Sequence, residues 1–156
     1  MDVQISSYPP LRVASVEHRG AYDNIGEAFG RLGAIARPSG LLADPAAAMV
    51  ALYYDDPQTT PVAELRSEAG LVVSEHTRLP AGLTERRIAG GRYARTVHRG
   101  PYTNLGDAWA RLMSEWLPSS GQRAANSPSF ELYLNDPTTT AAADLLTELR
   151  LPLEGD

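Results

Sequence analysis

The sequence predicts an α+β fold: two tandem strand–helix–strand–strand units sharing one antiparallel sheet, with both helices on one face and a cleft between them. Three observations carry this expectation. The segment VASVEHRGAYDNIGEAFGRLG from Val13 recurs as YARTVHRGPYTNLGDAWARLM from Tyr93, an offset of 80 residues. The same offset lays Leu52-Tyr53-Tyr54-Asp55-Asp56-Pro57 over Leu132-Tyr133-Leu134-Asn135-Asp136-Pro137 without a gap. Within each copy, short β-branched and aromatic runs flank one stretch of helical periodicity. A fixed offset over this length marks a duplication. The 156 residues therefore read as a single domain of two pseudo-twofold repeats, 1–79 and 80–156. Their boundary falls in the link Leu79 to Leu83, which holds Pro80 and Gly82.

Each repeat justifies its elements in the same order. Val13 to His18 and Tyr93 to His98 are strands, closed by the Arg-Gly pairs Arg19-Gly20 and Arg99-Gly100. A helix follows, with Asn24 and Asn104 as N-cap candidates and Glu27 and Asp107 placed three residues later, as in a capping box. Ile25, Ala28, Phe29, Leu32 and Ile35 form one apolar stripe, repeated by Leu105, Ala108, Trp109, Leu112 and Trp116. Pro38 and Pro118 are expected to stop the helices. Strands ending at Asp-Pro turns come next, from Met49 and from Ser129. Leu65 to Ser74 and Leu145 to Leu153 make a last strand in each repeat, and Val3 to Ile5 and Leu83 to Ile88 add one more apiece. One such unit encloses a core poorly alone. Two copies pairing edge strands would share a sheet and leave a groove between the helices, a usual place for a small ligand.

Composition excludes several chemistries. Cysteine is absent, which removes disulfides, thiolate metal sites and a cysteine nucleophile. All 14 basic residues are arginine, so neither a Schiff-base nor a phosphate-loop lysine exists. The net charge of −5, with no basic block longer than Arg86-Arg87, argues against nucleic acid as a direct partner. No apolar run is long enough to span a bilayer. The N-terminus has neither the basic start nor the apolar stretch of a secretory signal, so the cytoplasm is the expected location. No motif calls for a cofactor or a metal: Asp55, Asp56, Asn135 and Asp136 are explained by turns, and no spacing makes a ligand loop.

Where the repeats differ, function becomes legible. Side chains alternate along a strand, so Ala51 and Tyr53 point one way, and the twin strand places Glu131 and Tyr133 on that same face. Two readings follow. The face is wet and Glu131 is an ordinary exposed carboxylate, or Glu131 is a partly buried acid beside aromatic rings. The second arrangement is suited to a lipophilic cation. Tyr22, Tyr102, Phe29 and Trp109 have turn or helical spacing that means core first and ligand contact second. His18 and His98 sit at equivalent strand ends and read as turn caps, while His76 lies in a polar loop.

The runs VASVEHRGAY, LYYDDP with TPVAELR, IAGGRYARTVHRGPY and FELYLNDP resemble the GyrI-like small-molecule-binding domain, which is also the effector-binding part of some bacterial AraC-type and MerR-type multidrug-responsive regulators. The resemblance spans Val3 to Leu153 and implies a ligand cleft between the helices, with a glutamate at the position of Glu131 contacting cationic or polar parts of lipophilic ligands. The expected function is to bind lipophilic, often cationic or aromatic molecules through Glu131, Tyr133, Tyr53, Tyr93, Trp109, Tyr102 and Tyr22. Nothing precedes Val3 that could form a helix-turn-helix, so transcriptional control would pass through a separate regulator. Free-standing relatives suggest two alternatives. One is an interaction protein that restrains DNA gyrase. The other is a hydrolase of cyclopropane-bearing alkylators, in which Glu131 would be the catalytic group and a tyrosine such as Tyr53, Tyr93 or Tyr133 its hydrogen-bonding partner.

Overall fold

A computed structural model describes residues 1–155. In chain order the strands are β1 (Gln4–Tyr8), β2 (Leu11–Arg19), β3 (Ala48–Tyr53), β4 (Arg66–Val73), β5 (Thr84–Ile88), β6 (Gly91–Arg99), β7 (Ser129–Tyr133) and β8 (Leu146–Pro152). The helices are α1 (Gly26–Ser39), α2 (Leu105–Arg111) and α3 (Leu117–Ser120). The strand–helix–strand–strand order appears in both repeats, and the fold is α+β. No helix among the described residues is long and apolar enough to cross a membrane.

The chain forms two compact units. The first is Pro10–Ala89, with antiparallel strands in the order β3-β4-β2-β5. The second joins Met1–Pro9 to the chain from Gly90 onward, in the equivalent order β7-β8-β6-β1. The repeats of the sequence and the compact units are therefore not the same segments. β1, written at the head of the first repeat, pairs with β6 of the second; β5, written in the second, pairs with β2 of the first.

In the first unit, Ala28, Leu32 and Ala36 of α1 cover Ala14 and Val16 of β2 and Ala69, Leu71 and Val73 of β4. In the second, Leu105, Ala108 and Leu112 cover Ala94, Leu149 and Leu151. Leu32 and Leu112 are fully buried twins, each contributing about 2 kcal/mol through removal from water.

Two details of the helices depart from the sequence reading. The capping boxes do not form: neither Asn24 nor Asn104 makes a side-chain cap bond, and α1 begins beyond Ile25. A 3-10 turn precedes each helix (Tyr22–Asn24 and Tyr102–Asn104). Its carbonyls take up early backbone N–H groups instead, as in Ile25 N–H to Tyr22 O at 3.2 Å. Nor do the prolines stop the helices. Pro38 lies inside the last turn of α1 and Pro118 in the first turn of α3. Termination falls to Gly40 (φ 78°) and Gly121 (φ 74°), in the left-handed region that glycine adopts without strain.

These two glycines are 81 residues apart, one more than the repeat. The extra residue is absorbed by a π-helical turn, Leu112–Trp116, where the Leu117 N–H reaches the Leu112 carbonyl. The bulge keeps the stripe in phase. At its end, Trp116 and Leu117 take the places of Ile35 and Ala36 and pack on the second core.

Candidate functional site

In each unit the face of the strands away from the helix carries buried charge. In the first unit Glu68, 2% exposed, accepts from Arg86 Nε at 2.9 Å and from the Tyr54 hydroxyl at 2.7 Å. Burial, then the bond to Glu68, pushes the Tyr54 phenol well above its usual range. The twin carboxylate Glu148 in the second unit is held by Arg95 Nε at 2.7 Å and Arg150 Nε at 2.6 Å. The Arg150 guanidinium lies over the Tyr8 ring, 3.8 Å from its centroid. The cation thus comes from a different strand in each unit: edge strand β5 in the first, β6 and β8 in the second. Where Arg150 stands, the first unit has Gly70, and a Cβ there would fall 2.4 Å from Val13 Cγ1. These pairs were missed in the sequence reading. Their one visible signal is that Glu68 and Glu148 repeat at the common offset in the last strand of each repeat.

Glu131 belongs to the helix-facing side. Its register partner on β8 is Leu149, which packs under α2. Of the two readings, the structure supports the buried one: Glu131 is 2% exposed. Each carboxylate oxygen accepts a short bond. Tyr133 Oη donates to Oε1 at 2.7 Å, and Trp109 Nε1 donates to Oε2 at 2.7 Å. Tyr133 lies two residues on along β7 and so shares the face; Trp109 stands on α2 one turn beyond Leu105. Neither donor carries a charge. Tyr102, in the 3-10 turn before α2, stacks edge-on against Tyr133 with centroids 5.3 Å apart. Burial, with the charges of Asp136 and Glu131, raises the Tyr102 phenol. Glu131, Tyr133, Trp109 and Tyr102 thus form one group, a buried carboxylate behind half-buried aromatic rings.

The remaining candidates are Tyr93, Tyr22 and Tyr53. Tyr93 faces the opposite side of its sheet: 3% exposed, it contacts Tyr8 and Phe130 edge-on at 6.2 and 5.5 Å. It is not part of the Glu131 group. Alternation along β6 fixes which residues share a face, but only the register against β8 says which face that is. Tyr22 and Tyr53 belong to the first unit and stack on each other at 4.7 Å. The Tyr22 hydroxyl donates to the Asp55 carbonyl at 2.8 Å and accepts the Asp55 N–H at 3.0 Å. His18 caps a turn through Ala21 O at 3.0 Å, whereas the equivalent Nε2 of His98 is buried with no partner. Asp56 and Asp136 close their turns by accepting the N–H groups of Gln58 and Thr138, both at 2.8 Å.

The GyrI-like small molecule binding domain matches residues 1–154. This chain belongs to the GyrI-like family. A DNA gyrase inhibitor from Edwardsiella piscicida is 31% identical over 159 residues, covering 98% of this chain and 98% of that protein. The structure of SAV2435 bound to tetraphenylphosphonium superposes with a TM-score of 0.71 at 15% identity, over 99% of this chain and 95% of that one. A hydrolase from Listeria innocua gives 0.69 at 15%, over 97% and 91%. Both structural likenesses are likenesses of fold.

Proposed function

We propose that this GyrI-like protein binds lipophilic cations, with Glu131 as the counter-charge and Trp109, Tyr102 and Tyr133 as the apolar and π-rich wall. The observation that carries the reading is the burial of Glu131 behind aromatic side chains. Keeping a carboxylate out of water is costly, and hydrogen bonds from uncharged donors such as Trp109 and Tyr133 offset only part of that cost. A cation that also lacks strong hydration recovers the rest. At an effective dielectric near 20, a unit charge about 5 Å from the carboxylate gains roughly 3 kcal/mol. Each aromatic face adds about 0.5–2 kcal/mol. Burial of aryl groups at about 25 cal/mol per Å² brings the total near −8 kcal/mol, a micromolar affinity. SAV2435, which shares the fold, is known with tetraphenylphosphonium bound, which supports the ligand class.

Titration with tetraphenylphosphonium tests this, followed by the indole N–H resonance of Trp109. Saturable movement of that resonance at micromolar ligand is expected. No movement at millimolar ligand would remove the assignment.

A second reading rests on the 31% identity to a DNA gyrase inhibitor along nearly the whole chain. Under it the protein acts by presenting a surface to gyrase, and its effect should survive Glu131→Gln. Purified gyrase supercoiling at tens of micromolar protein decides the matter: undiminished supercoiling ends this reading and leaves the cation site untouched.

A further inference from the structure

We infer that β1 is a docking edge for a second copy of this chain: two β1 strands pair antiparallel about a twofold axis at Ser6. This surface is independent of the Glu131 site. The offset of 80 residues lays β1 on β5, so Gln4–Tyr8 and Thr84–Ile88 are equivalent outer strands, paired with β6 and β2 respectively. An outer strand offers unpaired main-chain groups to any strand that approaches, and charged side chains are a common protection. β5 has that protection. Glu85 is paired with Arg12 at 3.1 Å, Arg86 with Glu68 at 2.9 Å and Arg87 with Glu75 at 2.7 Å. At the equivalent positions β1 carries Ile5, Ser6 and Ser7, so the charges of this edge are gone. Gln4, Ile5, Ser6 and Ser7 are all exposed, Ile5 to 39%.

The register fixes which main-chain groups are open. The Arg92 carbonyl accepts the Leu153 N–H, on the β8 side of β6. Main-chain groups alternate in direction along a strand, so Tyr93 turns its N–H and C=O toward β1, where its register partner is Ser6. Gln4, Ser6 and Tyr8 therefore face β6, and the N–H and C=O of Ile5 and Ser7 face outward. The Asp2 carbonyl, in phase with Gln4, accepts from the Thr96 hydroxyl of β6 at 2.8 Å, in agreement. With the axis at Ser6, Ile5 of one copy meets Ser7 of the other, and each such pair exchanges both N–H···O=C bonds. Ser6 meets Ser6, and Gln4 meets Tyr8. No like charges oppose each other, and the two exposed Ile5 side chains become diagonal neighbours on one face. The same operation on β5 would set Arg86 against Arg86. Pro9 and Pro10 have no N–H and end the ladder. Pairing uses up the open edge, so the assembly closes at a dimer.

Strands of five residues bury less than a standard interface, and the dimer should dissociate at roughly 10–100 μM. The chain has no cysteine, so Ser6→Cys introduces a lone thiol. Across the axis the two Ser6 Cα atoms form a non-hydrogen-bonded pair about 4.5 Å apart, within disulfide reach. The two Ser7 positions are diagonal, about 7–8 Å apart, and out of reach. Under mild oxidation at high-micromolar protein, Ser6→Cys should form a covalent dimer at least about tenfold faster than Ser7→Cys. Sedimentation velocity of the unaltered protein should show a monomer–dimer equilibrium, which Ile5→Lys should weaken by about tenfold or more. All three substitutions fall on exposed residues, so the fold is retained. A monomer up to millimolar protein would overturn the inference. So would equal cross-linking of the two cysteine variants, or a dimer indifferent to Ile5→Lys.

Discussion

Trp109 donates its indole N–H to Glu131 at 2.7 Å, and the residues at the two equivalent positions 80 earlier, Phe29 and Ala51, can form no such bond. Donor and carboxylate are present together in one unit and absent together from the other. If the indole is what makes a buried acid tolerable, the first unit should accept an acid only when it also receives the donor. Ala51→Glu places a carboxylate where the side chain is fully buried and should cost about 3 kcal/mol. Adding Phe29→Trp should return about 1 kcal/mol or more. Urea unfolding of both single variants and the double variant gives the coupling. No coupling would mean that Trp109 does not support Glu131.

Burial predicts different penalties for lost ion pairs. Glu148 is buried between Arg95 and Arg150, so Glu148→Gln leaves two guanidinium groups without their countercharge. It should lose about 3 kcal/mol in urea unfolding. Arg31 and Glu27 form an i,i+4 pair on α1 with side chains 49% and 68% exposed. Glu27→Gln should change stability by less than about 0.5 kcal/mol. Similar losses in the two variants would contradict the assignment of burial.

Asp44 predicts an acid limb to the stability curve. The hydroxyls of Thr77 and Ser74, then the Ser74 and Ala46 N–H groups, hold its carboxyl far below its ordinary value of 3.8. The ionised form is thus favoured by folding, and the stabilisation is complete at neutral pH. It fades as pH falls below about 4, where the unfolded chain takes up the proton first. Asp44→Asn should therefore melt below the wild type at pH 7, with the gap closing on acidification. A gap that widens as pH falls would reverse the sign.

The duplication was legible because agreement at one offset needs no structure, and it yielded every strand and the helical stripe. Glu131 was legible because its twin, Ala51, cannot carry charge. The comparison sees only differences, however. Glu68 and Glu148 agree, so it passed over them, although they hold the buried ion pairs. The partnership of Trp109 was hidden for a related reason: tryptophan over phenylalanine reads as shared aromatic bulk, and only the folded structure sets the indole N–H against the carboxylate. The side of the sheet that Tyr93 takes was not legible, because register is a property of pairing, not of one strand. The shared Pro38 and Pro118 suggested helix ends at equal offset. The π turn at Leu112–Trp116 instead keeps Trp116 and Leu117, both partly buried, in phase with the second core.

The central claim is that Glu131 recognises charge, and one comparison tests it most directly. Tetraphenylphosphonium and the neutral triphenylphosphine oxide have similar aryl bulk but differ by a unit charge. Their dissociation constants should be measured calorimetrically on the wild type and on Glu131→Gln, which keeps the side-chain volume and an acceptor oxygen. The substitution should weaken the phosphonium by about tenfold to a hundredfold, the range of roughly 1.4 to 2.7 kcal/mol expected for one partly screened charge. It should change the neutral oxide by less than about twofold. Equal losses for the two ligands, or none for the phosphonium, would contradict the claim and leave an aromatic surface with no use for its buried acid.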